Sequence, residues 1–454
     1  MITETLARFA IETRTASIPD AVLARARDAL VDVLGVALAG TLEPAAQIAA
    51  RWVENMGARP QAHLWGRTLA SSPAEAAFAN GVASHALDFD DSHPSLRGHP
   101  DTTLIPTALA VGEVTGATGA DVLAACVVGL EVAGKLGRAM GQGHIMRGWH
   151  ITATVGVLSC TAVAARLWGL DAKALQRAWG NAASQMSGLL RNFGTMTKPF
   201  HAGHAASCAV RSAWLAREGF TADETILDAK GGVIDTYRGE DGEAPADIMG
   251  QLANPWEIVT PGTYVKRWPC CYSNHRAIGG LLQLIAQHGV RAEEVIEVAV
   301  GFLPGTDASL VSDHPATGLQ GKFSVEYVLA VILLEGRLGL ETFTDAMVQR
   351  PAVRALMQKV RRYAIPDDKF YSGISGYTDV AVVTARGRFE LRVDRVPGSP
   401  EWALTREERI EKFTDCATRV LGVSGAQRLA DLCERVQGLA NISELVRATA
   451  PPDK

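Results

Sequence analysis

The sequence predicts a mainly α protein: a large all-helical domain formed by both chain ends, plus a smaller α+β lid domain. Three observations predict it. Apolar residues recur at helical spacing through nearly all of the first 260 positions. Strand-length apolar runs occur only between 268 and 398. Helical spacing then returns over 404–448, after a break at Pro397-Gly398-Ser399-Pro400. The simplest topology lets the C-terminal helices rejoin the N-terminal ones. The expected division is therefore 1–267 with 399–454 as the helical domain, and 268–398 as the α+β domain.

Each element has a local reason. From Asp20 to Leu38, Val22, Leu23, Ala26, Leu30, Leu34 and Val36 line one helical face. Ser72-Pro73-Ala74-Glu75 is a helix start, with Ser as cap, Pro at the first helical position and Glu closing a capping box. Thr221-Ala222-Asp223-Glu224 repeats the pattern and predicts another start. Segments 119–140, 152–168 and 200–217 are Ala-, Leu- and Gly-rich around most of their circumference, which predicts helices buried among helices. In the later region, 276–288 reads as helix and 295–302 as a strand. Residues 379–385 turn through Arg386-Gly387-Arg388 into 389–394, a β-hairpin pattern. Helices are expected at 325–334 and 342–359.

Composition narrows the function. A hydrophobic share of 47% and a charged share of 20% fit a folded protein rather than a disordered one. The net charge of −5 argues against a nucleic-acid or acidic-membrane surface. No uncharged apolar run reaches the ~18 residues of a membrane span, and the amphipathic start MITETLARFAIETRT lacks a signal-peptide core. Seven cysteines without framework spacing predict reduced thiols and a cytoplasmic location. There is no GxxxxGK[ST], no strand-bound GxGxxG and no GxSxG.

Four segments concentrate chemistry. The first, His85 to Pro100, holds His85, Asp88, Asp90, Asp91, Ser92, His93 and His99; its alternatives are a polar turn, an acid–base site or a metal site. No HExxH or Cys–His framework supports metal. The second is Arg147-Gly148-Trp149-His150 before an apolar helix, where the helix end favours a neutral imidazole. The third is Thr195-Met196-Thr197-Lys198-Pro199-Phe200-His201. If Pro199 opens the helix, Lys198 is a cation at an end that prefers anions, a conflict that a substrate carboxylate would resolve. His201 and His204 share a face and read as packing groups. The fourth, Tyr264 to His275, sets Lys266 and Arg267 at the expected domain seam, followed by Cys270, Cys271 and His275.

Taken in order, Asp88-Phe-Asp-Asp-Ser with His99-Pro100, Gly148-Trp-His150, Met196-Thr-Lys198-Pro199, Lys266-Arg-Trp-Pro-Cys-Cys and Lys322-Phe-Ser324 with Tyr327 resemble the MmgE/PrpD family. That family includes 2-methylcitrate dehydratases, cis-aconitate decarboxylases and iminodisuccinate epimerases, and the resemblance runs over nearly the whole chain. It implies a homodimer, an active site between the two domains and no required cofactor or metal. It places Asp88, Ser92, His99, His150, Lys198, Lys266 and Tyr327 at the family's active-site positions. The chain departs from the animal decarboxylase branch at Cys270-Cys271, where that branch carries Ala-His, and lacks the Asn-containing acidic motif of the methylcitrate dehydratase branch.

The resulting expectation is a lyase that dehydrates or decarboxylates a citrate- or aconitate-like polycarboxylate. His99 and His150 are the expected acid–base pair, and Asp88 orients a histidine. Lys198 stabilises charge, and Tyr327 donates a proton or hydrogen bond. Ser92, Lys266, Arg267, Cys271 and His275 are the expected substrate-binding groups. The alternatives are an epimerase of an imino- or amino-dicarboxylate and a non-catalytic carboxylate-binding protein.

Overall fold

The computed structural model describes residues 1–452. The protein is mainly α with a small sheet, and it divides into two compact units. The first comprises Met1–Leu190, Lys198–Thr263 and the chain from Thr405; the second comprises Arg191–Thr197 and Tyr264–Leu404.

The first unit begins with α1 (Ile2–Glu12), α2 (Asp20–Gly40), α3 (Pro44–Met56), α4 (Pro73–Ala86), α5 (Asp101–Thr115) and α6 (Gly119–Met146). It continues through α7 (Ile151–Leu167), α8 (Ala172–Ala183), α9 (Thr197–Arg217), α10 (Val233–Tyr237) and α11 (Pro245–Met249). A two-residue pairing of β1 (Ala62–His63) with β2 (Ala70–Ser71) precedes α4. Ser72 caps α4 as expected, its Oγ accepting from Glu75 N–H at 3.4 Å. The second expected helix start fails. Residues 221–224 are not helical, and the Asp223 carboxylate instead accepts from Thr225 N–H at 2.7 Å. An acidic side chain that folds back two residues on closes a turn rather than a helix.

Every residue from Ile151 to Ala165 is buried, so α7 has no solvent face. It packs among α5, α6 and α8. Helix α4 meets α9 more closely than side chains would permit. A Cβ on Gly81 would lie 2.8 Å from the Gly203 Cα, and one on Gly203 would lie 2.3 Å from the Phe78 carbonyl oxygen. The two backbones therefore touch, one turn before His85 on α4 and one turn after Lys198 on α9.

The second unit contains α12 (His275–His288), β3 (Val295–Phe302), α13 (Gly318–Gly321), α14 (Val325–Glu335), α15 (Asp345–Val348) and α16 (Pro351–Met357). Strands β4 (Val360–Ala364), β5 (Thr378–Thr384) and β6 (Gly387–Val393) complete it, in the order β4-β3-β5-β6. The hairpin β5–β6 is antiparallel, with Val382 opposite Phe389. Strand β4 runs parallel to β3 and was not foreseen. The helix expected over 342–359 is broken into short pieces, the last opening at Pro351. The strand that follows carries Arg361 and Arg362, so its charged edge lacks apolar alternation.

The chain returns to the first unit through α17 (Arg406–Glu434), opened by a Thr405–Glu408 capping box and bent at Gly422, and then α18 (Ser443–Arg447). Helix α17 lies along α2. Arg409 pairs with Asp28 at 3.2 Å, Lys412 with Asp32 at 2.7 Å, and Phe413 covers Gly35. All seven cysteines are buried, and none is joined in a disulfide. Among the described residues, no single helix is long and apolar enough to cross a membrane.

The α4–α9 contact yields a prediction. Gly203→Ala forces a Cβ against a backbone oxygen, and overpacking of this kind costs about 1–3 kcal/mol. Gly438→Ala meets nothing within 4 Å. Thermal melts should show the first variant clearly destabilised and the second close to wild type; equal melting temperatures would remove the close approach.

Candidate active site

Helix α4 ends at Ala86, and Asp88 N–H turns back to the His85 carbonyl at 3.1 Å. Asp88 takes a positive φ of 51°, a conformation that aspartate tolerates better than most residues. This turn sends the chain away from α4 with Asp88 and Asp90 both buried. Segment 93–98 then folds on itself, His93 N–H bonding the Gly98 carbonyl at 2.9 Å, and delivers His99 to the start of α5. His99 N–H is fastened to Thr152 Oγ1 at 3.0 Å.

Lys198 reaches this loop from α9, its Nζ 2.7 Å from Asp88 Oδ1. It occupies the first turn of α9 rather than the cap. The local conflict is therefore settled by a carboxylate of the protein, and the expectation that a substrate must resolve it is corrected. Both side chains are only 4% exposed.

Asp90 hydrogen-bonds the His85 imidazole and lies within ion-pair range of His99. Its Oδ1 lies 2.8 Å from His85 Nδ1 and its Oδ2 3.0 Å from His99 Nδ1. Asp88 is 3.9 Å from His99 Nε2 and engages Lys198 instead. His99 Nδ1 also contacts the Asp91 carbonyl at 2.7 Å, with Ser92 Oγ at 3.5 Å. The His85 ring packs on His99 at 4.5 Å and on His150 at 6.2 Å between centroids. His150 stands at the N-cap of α7, and its Nδ1 meets His201 Nδ1 at 2.9 Å. His99, His150, Lys198, Asp88 and Ser92 thus fall in one region of the first unit.

Burial sets the protonation states. It drives His150 well below the ordinary histidine value, with His201 and then Lys198 adding to the effect. His85 falls to about 3 through burial, against the opposing pull of Asp90, and His201 to about 4. Desolvation rather than the helix end is the main cause of a neutral His150. Beneath the loop, Asp91 and Asp101 form a buried carboxyl pair. Burial raises Asp101 to about 7, and burial followed by the charge of Asp101 raises Asp91.

His85, Asp88, Asp90 and His99 bring one donor atom each within 4.8 Å of one another. The Lys198 ammonium already supplies a positive charge beside Asp88, so the set reads as an ion pair with oriented imidazoles rather than as a cation cage.

In the second unit, Lys266, Cys271 and His275 are buried and Arg267 is partly exposed. His275 opens α12, its ring stacked on Tyr272 at 4.5 Å. Cys271 N–H donates to the Lys322 carbonyl at 3.0 Å, and Lys322 Nζ to the Pro269 carbonyl at 2.9 Å. Tyr327 is fully buried, and its hydroxyl donates to the Thr342 carbonyl at 2.5 Å. The expected proton donor therefore has its proton committed to the backbone.

Residues 4–244 match the MmgE/PrpD N-terminal domain and residues 268–437 the MmgE/PrpD C-terminal domain. The chain belongs to the MmgE/PrpD family. Relatives within it include the cis-aconitate decarboxylase of Homo sapiens, 27% identical over 467 aligned positions that cover 100% of this chain and 96% of that one. The Mus musculus enzyme of the same name is 27% identical, covering 99% and 94%. That of Aspergillus terreus is 25% identical, covering 100% and 96%.

The structure brings the segments of Asp88, His99, His150 and Lys198 together and adds neighbours to them. Asp90 and His85 were inside the cluster and were passed over. His201, three residues after Lys198, was set aside as packing. Lys412, whose Nζ donates to the Phe89 carbonyl at 2.9 Å, carries no local signal at all.

Two predictions follow from the buried charges. Lys198→Met strands the Asp88 carboxylate and should destabilise the fold by about 3–5 kcal/mol. Adding Asp88→Asn should restore part of the loss in denaturant melts. No destabilisation would make the pair incidental. The second concerns Asp101. An acid raised in the fold from 3.8 to about 7 keeps its proton while the unfolded chain ionises. Stability is therefore lost as pH rises from about 4 to 7 and levels off above. Asp101→Asn removes that loss, so its melting temperature should gain on wild type across this window; a constant difference would contradict the assignment.

Proposed function

We propose that the chain is a lyase that decarboxylates a small polycarboxylic acid of the aconitate type by acid–base chemistry of its own side chains. The observation that supports this reading best is the cluster of Lys198, Asp88 and three imidazoles, in a chain that aligns end to end with named cis-aconitate decarboxylases.

The chemistry needs two services. Loss of CO₂ leaves the electrons of the broken C–C bond on carbon, conjugated into a neighbouring unsaturated carboxylate. An ammonium in a water-poor setting stabilises that charge, the role we give Lys198. The carbon must then take a proton, which we assign to His99, because the Asp90 carboxylate beside its ring stabilises an imidazolium. Solvent restores that proton, so the net change is substrate minus CO₂ plus H⁺. His150, held neutral by burial, hydrogen-bonds the substrate and neither gives nor takes a net proton in this scheme. Ser92 in the first unit and Lys266, Arg267, Cys271 and His275 in the second are the proposed carboxylate-binding groups. Tyr327 takes part only if its hydroxyl exchanges the Thr342 carbonyl for ligand. No metal or organic cofactor enters the scheme. We further propose a homodimer in a reducing, cytoplasm-like compartment, the latter in keeping with seven cysteines outside any disulfide; light scattering that returns a monomer would remove the dimer.

Purified protein should convert cis-aconitate with release of CO₂, followed by NMR and mass spectrometry beside citrate, methylcitrate and iminodisuccinate. Inversion of iminodisuccinate without mass change would replace this reading with the epimerase. Binding of all four without turnover would leave a carboxylate-binding protein. Turnover should persist in excess chelator. His99→Ala and His150→Ala should each lose about 10²–10⁴-fold in kcat while staying folded; losses under about threefold would dismiss the pair.

A further inference from the structure

We propose that His201 is a positioning residue: its Nδ1–H donates to His150 Nδ1 and so presets His150 as a donor, through Nε2–H, to a carboxylate of the ligand. The inference deepens the reading above and rests on its polycarboxylate and on the hydrogen bond given there to His150. The two Nδ1 atoms stand 2.9 Å apart, with ring centroids 5.1 Å apart and planes tilted by 53°. Two N–H groups cannot face each other at that distance, and two lone pairs would leave the contact without a bond. One hydrogen therefore lies between the rings. Burial keeps both imidazoles neutral near neutral pH, with His201 held at about 4 and His150 well below its ordinary value. A neutral imidazole carries one N–H, so the two outer Nε2 atoms take opposite roles, one donor and one acceptor. A carboxylate can only accept, so the ring that meets it is the one bearing Nε2–H. That makes His150 the acceptor at Nδ1 and His201 the donor. Set before binding, such a donor costs no reorganisation when charge arrives.

The surrounding chain holds the two rings in this contact. Lys198 and His201 are three residues apart on α9 and share a face. The turn that aims an ammonium at Asp88 therefore also presents His201 to His150. The His150 N–H donates to the Gly188 carbonyl at 3.0 Å. Gly188, at a φ of 108°, lies against the other ring as well. A Cβ on it would stand 3.4 Å from His201 Cγ and 2.8 Å from Ala153 Cβ. His150 is 3% exposed and His201 5%, so water competes little for the paired Nδ1 atoms.

Asparagine and leucine separate this role from packing. Asparagine can place an amide N–H close to where Nδ1–H stands, whereas leucine fills space and donates nothing. Histidine-selective nitrogen NMR of the substrate-free protein near neutral pH should show His150 protonated at Nε2 and bare at Nδ1, and His201 the reverse. Signals are assigned by their loss in His150→Ala and His201→Asn. His201→Asn should keep the His150 tautomer and stay within about threefold of wild type in kcat/KM. His201→Leu should lose that tautomer preference and about tenfold or more in kcat/KM, the scale of a hydrogen bond to a charged group. In a His150→Ala background His201→Leu should cost less than about threefold further, since it acts through that ring. His150 protonated at Nδ1 in wild type would overturn the proposal, as would equal behaviour of the asparagine and leucine variants. If His201→Leu does not fold, the wild-type tautomers decide alone. They are read without substrate, so failure here is distinct from failure of the decarboxylase reading.

Discussion

Backbone against backbone, with no side chain between, is the contact on which the candidate site depends. Gly81 and Gly203 let α4 and α9 meet at a distance that any Cβ would forbid. The end of α4 and the start of α9 are thereby held together, and the side chains just beyond inherit the geometry. His85 and Asp88 come from one helix end, Lys198 and His201 from the other. A lysine stem spans the remaining gap to Asp88 and fixes a salt bridge that is almost dry. Most of the chemistry thus follows from the smallness of two residues that do none of it.

Desolvation then governs the charge balance. Asp32, Asp88, Asp90, Asp91 and Asp101 are all buried in the first unit, while Lys198 and Lys412 supply the cations paired with Asp88 and Asp32. Such an imbalance is tolerable only if protons stay on some of the acids and the imidazoles stay neutral. Burial shifts the groups in that direction: Asp101 and Asp91 are pushed up, and His85, His150 and His201 are pushed down. A neutral imidazole keeps a lone pair for hydrogen bonding, while the same burial lowers its basicity. Burial therefore fixes which groups carry protons at the cost of stability.

The helical framework was legible because period and capping are local properties. Helices α2, α6, α7 and α9 lie where apolar spacing put them, and the β5–β6 hairpin lies where a glycine turn separates two strand-length runs. Strand β4 escaped notice because a sheet edge needs no apolar alternation. The Thr221 start misled because the side chain of Asp223 found a nearer donor. At the site, spacing brought out the segments of Asp88, His99, His150 and Lys198. Partner choice within them was not legible. Asp88 and Asp90 are two residues apart and chemically identical. In the fold Asp88 takes a positive φ and pairs with Lys198, while Asp90 hydrogen-bonds His85.

Lys412 has a consequence for the order in which the molecule is made. It lies on α17, pairs with Asp32, donates to the Phe89 carbonyl and sits 4.1 Å from the Phe89 ring centroid. Phe89 is the residue between Asp88 and Asp90. A chain emerging from the ribosome therefore exposes its acidic loop more than 300 residues before the lysine that clamps it. Until that late segment arrives, the loop lacks the contacts that Lys412 makes to Asp32 and Phe89. Bracing of the loop therefore waits until α17 has been made.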